Sequence, residues 1–161
     1  MAGEKFEQAK AQAMKGYLDP GPNHLNCAQA VLRCGLGVLD EDPALIANAG
    51  FLGGGMARMG QVCGALSGAA VLLGLRERLL VERGQKPVVT TFDWLQELVR
   101  AFEAEFGAVT CHDLLGCDIS TAEGFRKAKR SKATKRCPEF VEWTCDRLGE
   151  LFEQQDVVAE A

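Results

Sequence analysis

Seven cysteines are the residues of this chain best suited to chemistry: Cys27, Cys34, Cys63, Cys111, Cys117, Cys137 and Cys145. A thiolate attacks disulfides and binds metals, whereas a buried thiol packs as a small hydrophobic group. A chain of 161 residues can bury a core large enough to fold without disulfide bridges. The odd number of cysteines also argues against a fully paired disulfide framework. The cysteines are therefore candidates for redox groups or metal ligands.

Four of these cysteines share one predicted position, the start of a helix: Cys27, Cys63, Cys111 and Cys137. Asn26 and Thr110 are favoured N-cap residues and precede two of them. Pro138 favours the first helical position, which makes Cys137 itself a predicted N-cap. Free N–H groups and the helix dipole stabilise a thiolate at such positions. We hypothesise that the four converge on one point; the alternative is that each packs separately.

The other three cysteines and the two histidines carry weaker signals. Cys145 lies on the apolar stripe of the last predicted helix, and we expect core packing for it and for Cys34. Cys117 follows a short predicted helix, and the sequence assigns it no role. His24 and His112 lie close to cysteines along the chain. They are candidate bases or ligands, or simply solvent-exposed side chains.

Six glycines lie close to Cys63 in the sequence: Gly53, Gly54, Gly55, Gly60, Gly64 and Gly68. Glycine lets a backbone or a bulky cofactor approach closely, so the triple glycine Gly53, Gly54, Gly55 and also Gly64 are candidate cofactor-binding residues. Gly64 and Gly68 also form a small-xxx-small face, which favours close helix packing without any ligand. No Lys-Ser/Thr follows the glycines, so a Walker phosphate loop is excluded.

Helical periodicity dominates the chain and predicts an all-α bundle of about six or seven helices in one domain, residues 1–161. Breakers, caps and apolar stripes place the predicted helices at about 4–18, 26–39, 43–51, 63–83, 91–106, a short helix from 110, and 137–152. Residues 154–161 are expected to be a frayed tail.

The N-terminal residues have mixed charge and no apolar segment, so the sequence shows no secretory signal. The longest uncharged run, residues 59–75, is shorter than the ~20 apolar residues that span a bilayer. We therefore expect a cytoplasmic protein without membrane insertion. A reducing compartment favours metal or redox roles for clustered cysteines.

A basic stretch over residues 124–137 contains seven cationic side chains and no acid: Arg126, Lys127, Lys129, Arg130, Lys132, Lys135 and Arg136. One interpretation is a mobile loop or frayed helix. The other is a docking patch, over residues 126–136, for an anionic ligand or a redox partner. Nucleic acid is disfavoured because the net charge is −4 and no aromatic residue alternates with the basic ones.

The segment Cys63-Gly64-Ala65-Leu66-Ser67-Gly68 resembles the Cys-Gly-Ala-x-x-Gly signature of the C_GCAxxG_C_C family of redox-active proteins. The flanking segments are similar too: Asn26-Cys27-Ala28, Gly-Gly-Gly-Met before the signature, Cys111 followed by Leu114-Leu115-Gly116, and Cys137-Pro138. The resemblance spans roughly residues 26–152. It implies that the family cysteines are the four at predicted helix starts. A similar domain in a haem protein is associated with an iron–sulfur cluster, which makes such a cluster a candidate cofactor.

Three functions are open to these four cysteines. In the first, a thiolate of low pKa, most simply Cys63, attacks a disulfide, peroxide or sulfur species, and a second cysteine resolves the intermediate. In the second, the four hold an iron–sulfur cluster in a non-enzymatic electron carrier. In the third, they bind a structural zinc ion. The chain has no Cys-x-x-Cys pair, and its cysteines are scattered singly, so the sequence leaves all three open.

Overall fold

This computed structural model describes residues 2–154 and 157–159. They contain seven α-helices, two short 3₁₀ helices and two three-residue strands. The all-α prediction is confirmed. The helices are α1 (Ala2–Leu18), α2 (Cys27–Leu39), α3 (Gly64–Glu82), α4 (Thr91–Phe106), α5 (Cys111–Leu115), α6 (Ala122–Arg130) and α7 (Cys137–Glu153). The 3₁₀ helices are Pro43–Ala49 and Ala133–Arg136, and the strands are β1 (Gln85–Pro87) and β2 (Val157–Ala159).

Polar caps fix where most of these helices begin. The Asn26 side chain accepts the Gln29 N–H at 2.9 Å, and the Gln29 side chain accepts the Asn26 N–H at 3.1 Å, which is a complete capping box. Thr110 caps α5 by accepting the Asp113 N–H. These caps make Cys27 and Cys111 the first residues of α2 and α5.

The start of α7 differs from the prediction by one residue. Cys137 is the first helical residue and not the N-cap, because the preceding 3₁₀ helix runs directly into α7 and gives Cys137 helical dihedral angles (φ −56°, ψ −38°). The cap position belongs to Arg136, and Pro138 occupies the first turn. The predicted helix over 43–51 is also a shorter 3₁₀ helix that ends at Ala49, where Gly50 follows.

The basic stretch over 124–137 is mostly helical. It forms most of α6 and the whole second 3₁₀ helix. The Thr121 hydroxyl caps α6 by accepting the Gly124 N–H at 3.0 Å. Glu123 lies in the first turn and three basic residues lie in the last, which complements the helix dipole at both ends.

Helix α2 packs against α1, α3 and α7 and carries the centre of the core. Val31 and Leu32 are completely buried, and Leu36 nearly so. A second part of the core is aromatic and joins α4 to α7. Five ring pairs have centroids 4.8–5.7 Å apart, among Phe102, Phe106, Phe140 and Trp143. Edge-to-face packing of this kind stabilises the pair of helices beyond the area it buries.

Part of the predicted frayed tail is paired. Val157–Ala159 forms β2, which is antiparallel to β1 with Lys86 opposite Val158, because two short segments satisfy each other's backbone groups. Residues 155–156 and 160–161 lie outside the described residues. Within the described residues, no helix is long and apolar enough to cross a membrane.

Helices α2 and α3 approach so closely that their contact requires glycine. A Cβ atom on Gly68 would lie 2.4 Å from the Ala28 carbonyl oxygen, and one on Gly35 would lie 2.0 Å from the Leu72 side chain. The predicted small-xxx-small face is therefore a helix contact. Because Gly68 meets backbone atoms, neither partner can move aside cheaply.

Replacing Gly68 with Ala tests this contact. The Gly68→Ala substitution should lower the free energy of unfolding by about 1–3 kcal/mol because it overpacks the α2–α3 interface. The matched control is Gly74→Ala in the same helix, where an added Cβ meets nothing within 4 Å. The control should be neutral or raise stability by up to about 1 kcal/mol. Urea denaturation measures both, and equal effects of the two substitutions would contradict the close packing.

Candidate functional site

One open cavity of about 1150 Å³ lies where the N-terminal ends of α2, α3, α5 and α7 meet. Its wall contains four of the seven cysteines: Cys27, Cys63, Cys111 and Cys137. Cys63 and Cys111 are buried, and the other two are half-buried. The structure thus brings together the four cysteines that the sequence places at helix starts.

Cys63 and Cys111 form a thiol pair at the floor of this cavity. An antiparallel bridge between Val62 and Thr110 aligns the two chain segments. Its backbone hydrogen bonds are Cys63 N–H to Val109 O and Cys111 N–H to Gln61 O, both 2.8 Å. Both cysteines follow the bridged residues by one position, so their side chains lie on the same face, with the two thiols within hydrogen-bond reach of each other.

The contact between the two thiols shifts their pKa values in opposite directions. The hydrogen bond from Cys63 lowers the pKa of Cys111, and the Gly64 N–H at the start of α3 acts in the same direction against burial. The same hydrogen bond raises the pKa of Cys63 well above that of an ordinary thiol, and burial adds to this. The sequence favoured Cys63 as the thiolate of low pKa. The directions of the two shifts favour Cys111 for that role, and the choice between the two cysteines stays a prediction.

The two half-buried cysteines have raised pKa values, although both lie in the first turn of a helix. Burial raises the pKa of Cys27, against the N–H groups of Gly54 and Ala28 that hydrogen-bond to its sulfur. Burial also raises the pKa of Cys137 to about 12, although the Tyr17 hydroxyl donates to its sulfur. Loss of hydration therefore outweighs the helix N-terminus at both positions.

Tyr17 belongs to the site, although no motif in the sequence indicates it. It lies near the end of α1 and lines the cavity beside Cys137. Burial is the main reason that its own pKa is raised. Its hydroxyl therefore stays protonated and keeps donating to the thiol. Only the folded structure brings the two together, because 120 positions separate them in the chain.

The glycine-rich loop contains a left-handed turn. Five consecutive residues have positive φ: Gly54, Gly55, Met56, Ala57 and Arg58, at +66°, +68°, +64°, +49° and +64°. Gly53 and Gly54 line the cavity. At Gly55 close packing explains the glycine, since a Cβ there would lie 2.4 Å from the Gln61 backbone. Gly64 is equally restricted, because a Cβ would lie 2.3 Å from the Cys27 sulfur. Cofactor binding by these glycines stays a prediction.

Three cysteines lie outside the cavity wall. Cys34 on α2 and Cys145 on α7 are buried in the core, where their thiols hydrogen-bond to each other; that contact and burial raise the pKa of Cys145. Cys117 is also in the core. Of the histidines, His24 lines the cavity, whereas His112 is exposed and hydrogen-bonds to Asp113 at 3.1 Å.

The cavity wall has the donor type of an iron–sulfur or zinc site, four thiols and no carboxylate among the described residues. A metal site also requires that its side chains point at one common position. In the described part of the chain, no group of three or more His, Cys, Asp or Glu side chains is arranged to hold a metal ion. The side chains as they stand form a dithiol, and ligation by all four cysteines stays a prediction.

The helices and this cavity define a class of protein, an all-α fold that gathers four cysteines from four helix starts. The chain belongs to the C_GCAxxG_C_C family, whose description reads "Putative redox-active protein (C_GCAxxG_C_C)" and whose family model matches residues 25–151. That range contains all four cavity cysteines, and the match confirms the resemblance seen in the sequence. No curated protein and no solved structure matches the chain.

The charge of the thiol pair can be titrated directly. A lowered pKa means that the Cys111 thiolate forms as the pH rises toward 9.0, the ordinary thiol value, and not above it. The ultraviolet absorbance of thiolates in the reduced protein should show this early step. Cys111→Ser should remove it, and Cys145→Ser, which changes a core thiol of raised pKa, should leave it. An early step that persists in Cys111→Ser would contradict the assignment.

Proposed function

We propose that the protein carries out thiol–disulfide exchange with Cys63 and Cys111 as its redox pair. The observation that carries the proposal is the bridge between Val62 and Thr110, which places the Cys63 and Cys111 thiols side by side in the wall of an open cavity. Two cysteines in contact can close a disulfide with little backbone movement. The family description, a redox-active protein, agrees with this chemistry.

The two cysteines take different roles in the exchange. Cys111 is the attacking residue because its pKa is lowered and because it is the more accessible of the two, 7% exposed against 3% for Cys63. Its thiolate forms a bond to one sulfur of the incoming disulfide, whose S–S bond breaks and releases a thiolate that takes up a proton. Cys63 gives up its proton, attacks the Cys111 sulfur and releases the second thiol. The protein gains one disulfide, and the incoming disulfide is reduced to two thiols.

An iron–sulfur site is the second candidate, and one observation favours it. Burial raises the pKa of both Cys27 and Cys137, and the charges of the neighbouring cysteines raise it further. Such thiols lose their protons readily only when a cation compensates the charge. Cys27, Cys63, Cys111 and Cys137 would hold the cluster, which would supply one-electron transfer.

Exchange with a small neutral disulfide, 2-hydroxyethyl disulfide, tests the main proposal. Mass spectrometry should find that the reduced protein loses two hydrogens as the internal disulfide forms. Cys63→Ser should stop as a mixed disulfide on Cys111, because the resolving thiol of the pair is missing. Cys111→Ser should react at least about tenfold more slowly, since it lacks the thiolate. Cys145→Ser is the matched control and should react like the unsubstituted protein.

The outcomes separate the two candidates. Equal rates in all three variants would contradict the dithiol proposal. Strictly anaerobic purification, followed by a visible spectrum with iron and sulfide analysis, tests the cluster. Stoichiometric iron and sulfide that are lost in Cys27→Ser and Cys137→Ser would favour the cluster over the dithiol. A colourless, metal-free protein with titratable thiols would exclude it.

A further inference from the structure

Beyond the thiols, the cavity wall is positively charged. Arg58 from the left-handed turn and Arg126 and Lys129 from α6 all line it. No Asp or Glu in the described residues does so. The net charge of the chain is −4, so this wall is a local concentration of positive charge and not a reflection of overall composition. Concave walls of one charge concentrate ligands of the opposite charge.

Two of these cations are held over one aromatic ring. The Arg58 guanidinium carbon lies 4.4 Å from the centroid of the Phe125 ring, and the Lys129 Nζ lies 4.7 Å from it. Both distances are within the range of cation–π attraction. Within the described residues, none of the three wall cations has a salt bridge to a carboxylate. Their charge is therefore available to a ligand.

The position of Arg58 depends on backbone strain. Met56, Ala57 and Arg58 are consecutive non-glycine residues with φ between +49° and +64°. This conformation costs roughly 1–2 kcal/mol per residue. Strain of this kind persists where the surrounding structure enforces it and is concentrated at binding and active sites. Here it turns the chain so that Gly54 donates to the Cys27 sulfur while Arg58 reaches the wall beside Phe125.

We propose that the cavity selects small disulfides that carry carboxylates, with Arg58, Arg126 and Lys129 as the specificity-determining residues. The inference rests on the proposed thiol–disulfide function and names its substrate class. A volume of about 1150 Å³ slightly exceeds the ~300–1,000 Å³ typical of small-molecule pockets. The cavity therefore has room for a disulfide with its charged arms, and the thiol pair lies at its floor.

The wall charges also suit the chemistry of the exchange. The Cys111 thiolate attacks one sulfur of the bound disulfide, the S–S bond of the substrate breaks, and the departing half leaves as an anionic thiolate with its carboxylate. Cations in the wall stabilise that developing charge. The leaving thiolate takes a proton from solvent. Cys63 then transfers its own proton to solvent and displaces the second half as it closes the protein disulfide.

Three disulfides with the same two-methylene spacer on each sulfur test the selectivity: 3,3′-dithiodipropionate (anionic), 2-hydroxyethyl disulfide (neutral) and cystamine (cationic). Each rate constant for oxidation of the reduced protein is divided by that for a short neutral cysteine peptide. We expect the anionic disulfide to be favoured over the cationic one by at least about tenfold, the low end of electrostatic rate enhancement. Added salt should reduce this ratio.

Two double variants of α6 test which cations produce the preference for the anionic disulfide. Arg126→Gln with Lys129→Gln removes two of the three cations that line the cavity and should reduce the preference, with Arg58 supplying what is left. Lys127→Gln with Arg130→Gln makes the same change in net charge at exposed positions that do not line the cavity. This control should change the preference by less than about twofold, because neither side chain lines the cavity and exposed charges are screened by salt.

The results distinguish the two levels of the proposal. If all three disulfides oxidise the Cys63–Cys111 pair with equal normalised rates, the substrate class is wrong and the exchange function stands. If none oxidises the pair, the proposed function itself fails. Equal effects of the two double variants would also overturn the assignment of Arg126 and Lys129, because the preference would then follow net charge alone.

Discussion

The cavity depends on how closely α2 and the start of α3 approach each other. Gly64 has no Cβ, and a Cβ there would lie 2.3 Å from the Cys27 sulfur. This contact places the first N–H groups of α3 among the cysteines. The Gly64 N–H reaches Cys111, and the Ala65 N–H reaches Cys63. A helix start that is brought so close can stabilise a thiolate that burial alone would disfavour.

Burial and hydrogen bonding then divide the thiols by charge. The pKa of Cys111 is lowered, whereas the pKa values of Cys27, Cys63 and Cys137 are raised. One low-pKa sulfur beside one protonated sulfur is the arrangement that exchange chemistry uses, an attacking group and a resolving group. The positive wall around Arg58 adds attraction for an anionic partner to the same site.

Local sequence signals were sufficient for most of the fold and for the choice of four cysteines. Caps such as Asn26 and Thr110 and the apolar stripes act within a few residues, so they can be read from the chain. The order of the pKa values could not be read from the chain, because it depends on which thiol donates across the bridge between Val62 and Thr110. Tyr17 and Arg58 were missed for the same reason, since only tertiary packing brings them to the cavity.

Disulfide mapping of the oxidised protein is the most direct test of the central claim that Cys63 and Cys111 form the redox pair. The fully reduced protein is oxidised by a limiting amount of 2-hydroxyethyl disulfide, trapped with an alkylating agent and digested for mass spectrometry. We predict that a peptide containing Cys63 is linked to one containing Cys111. A first link between Cys34 and Cys145, or oxidation without a link between Cys63 and Cys111, would contradict it.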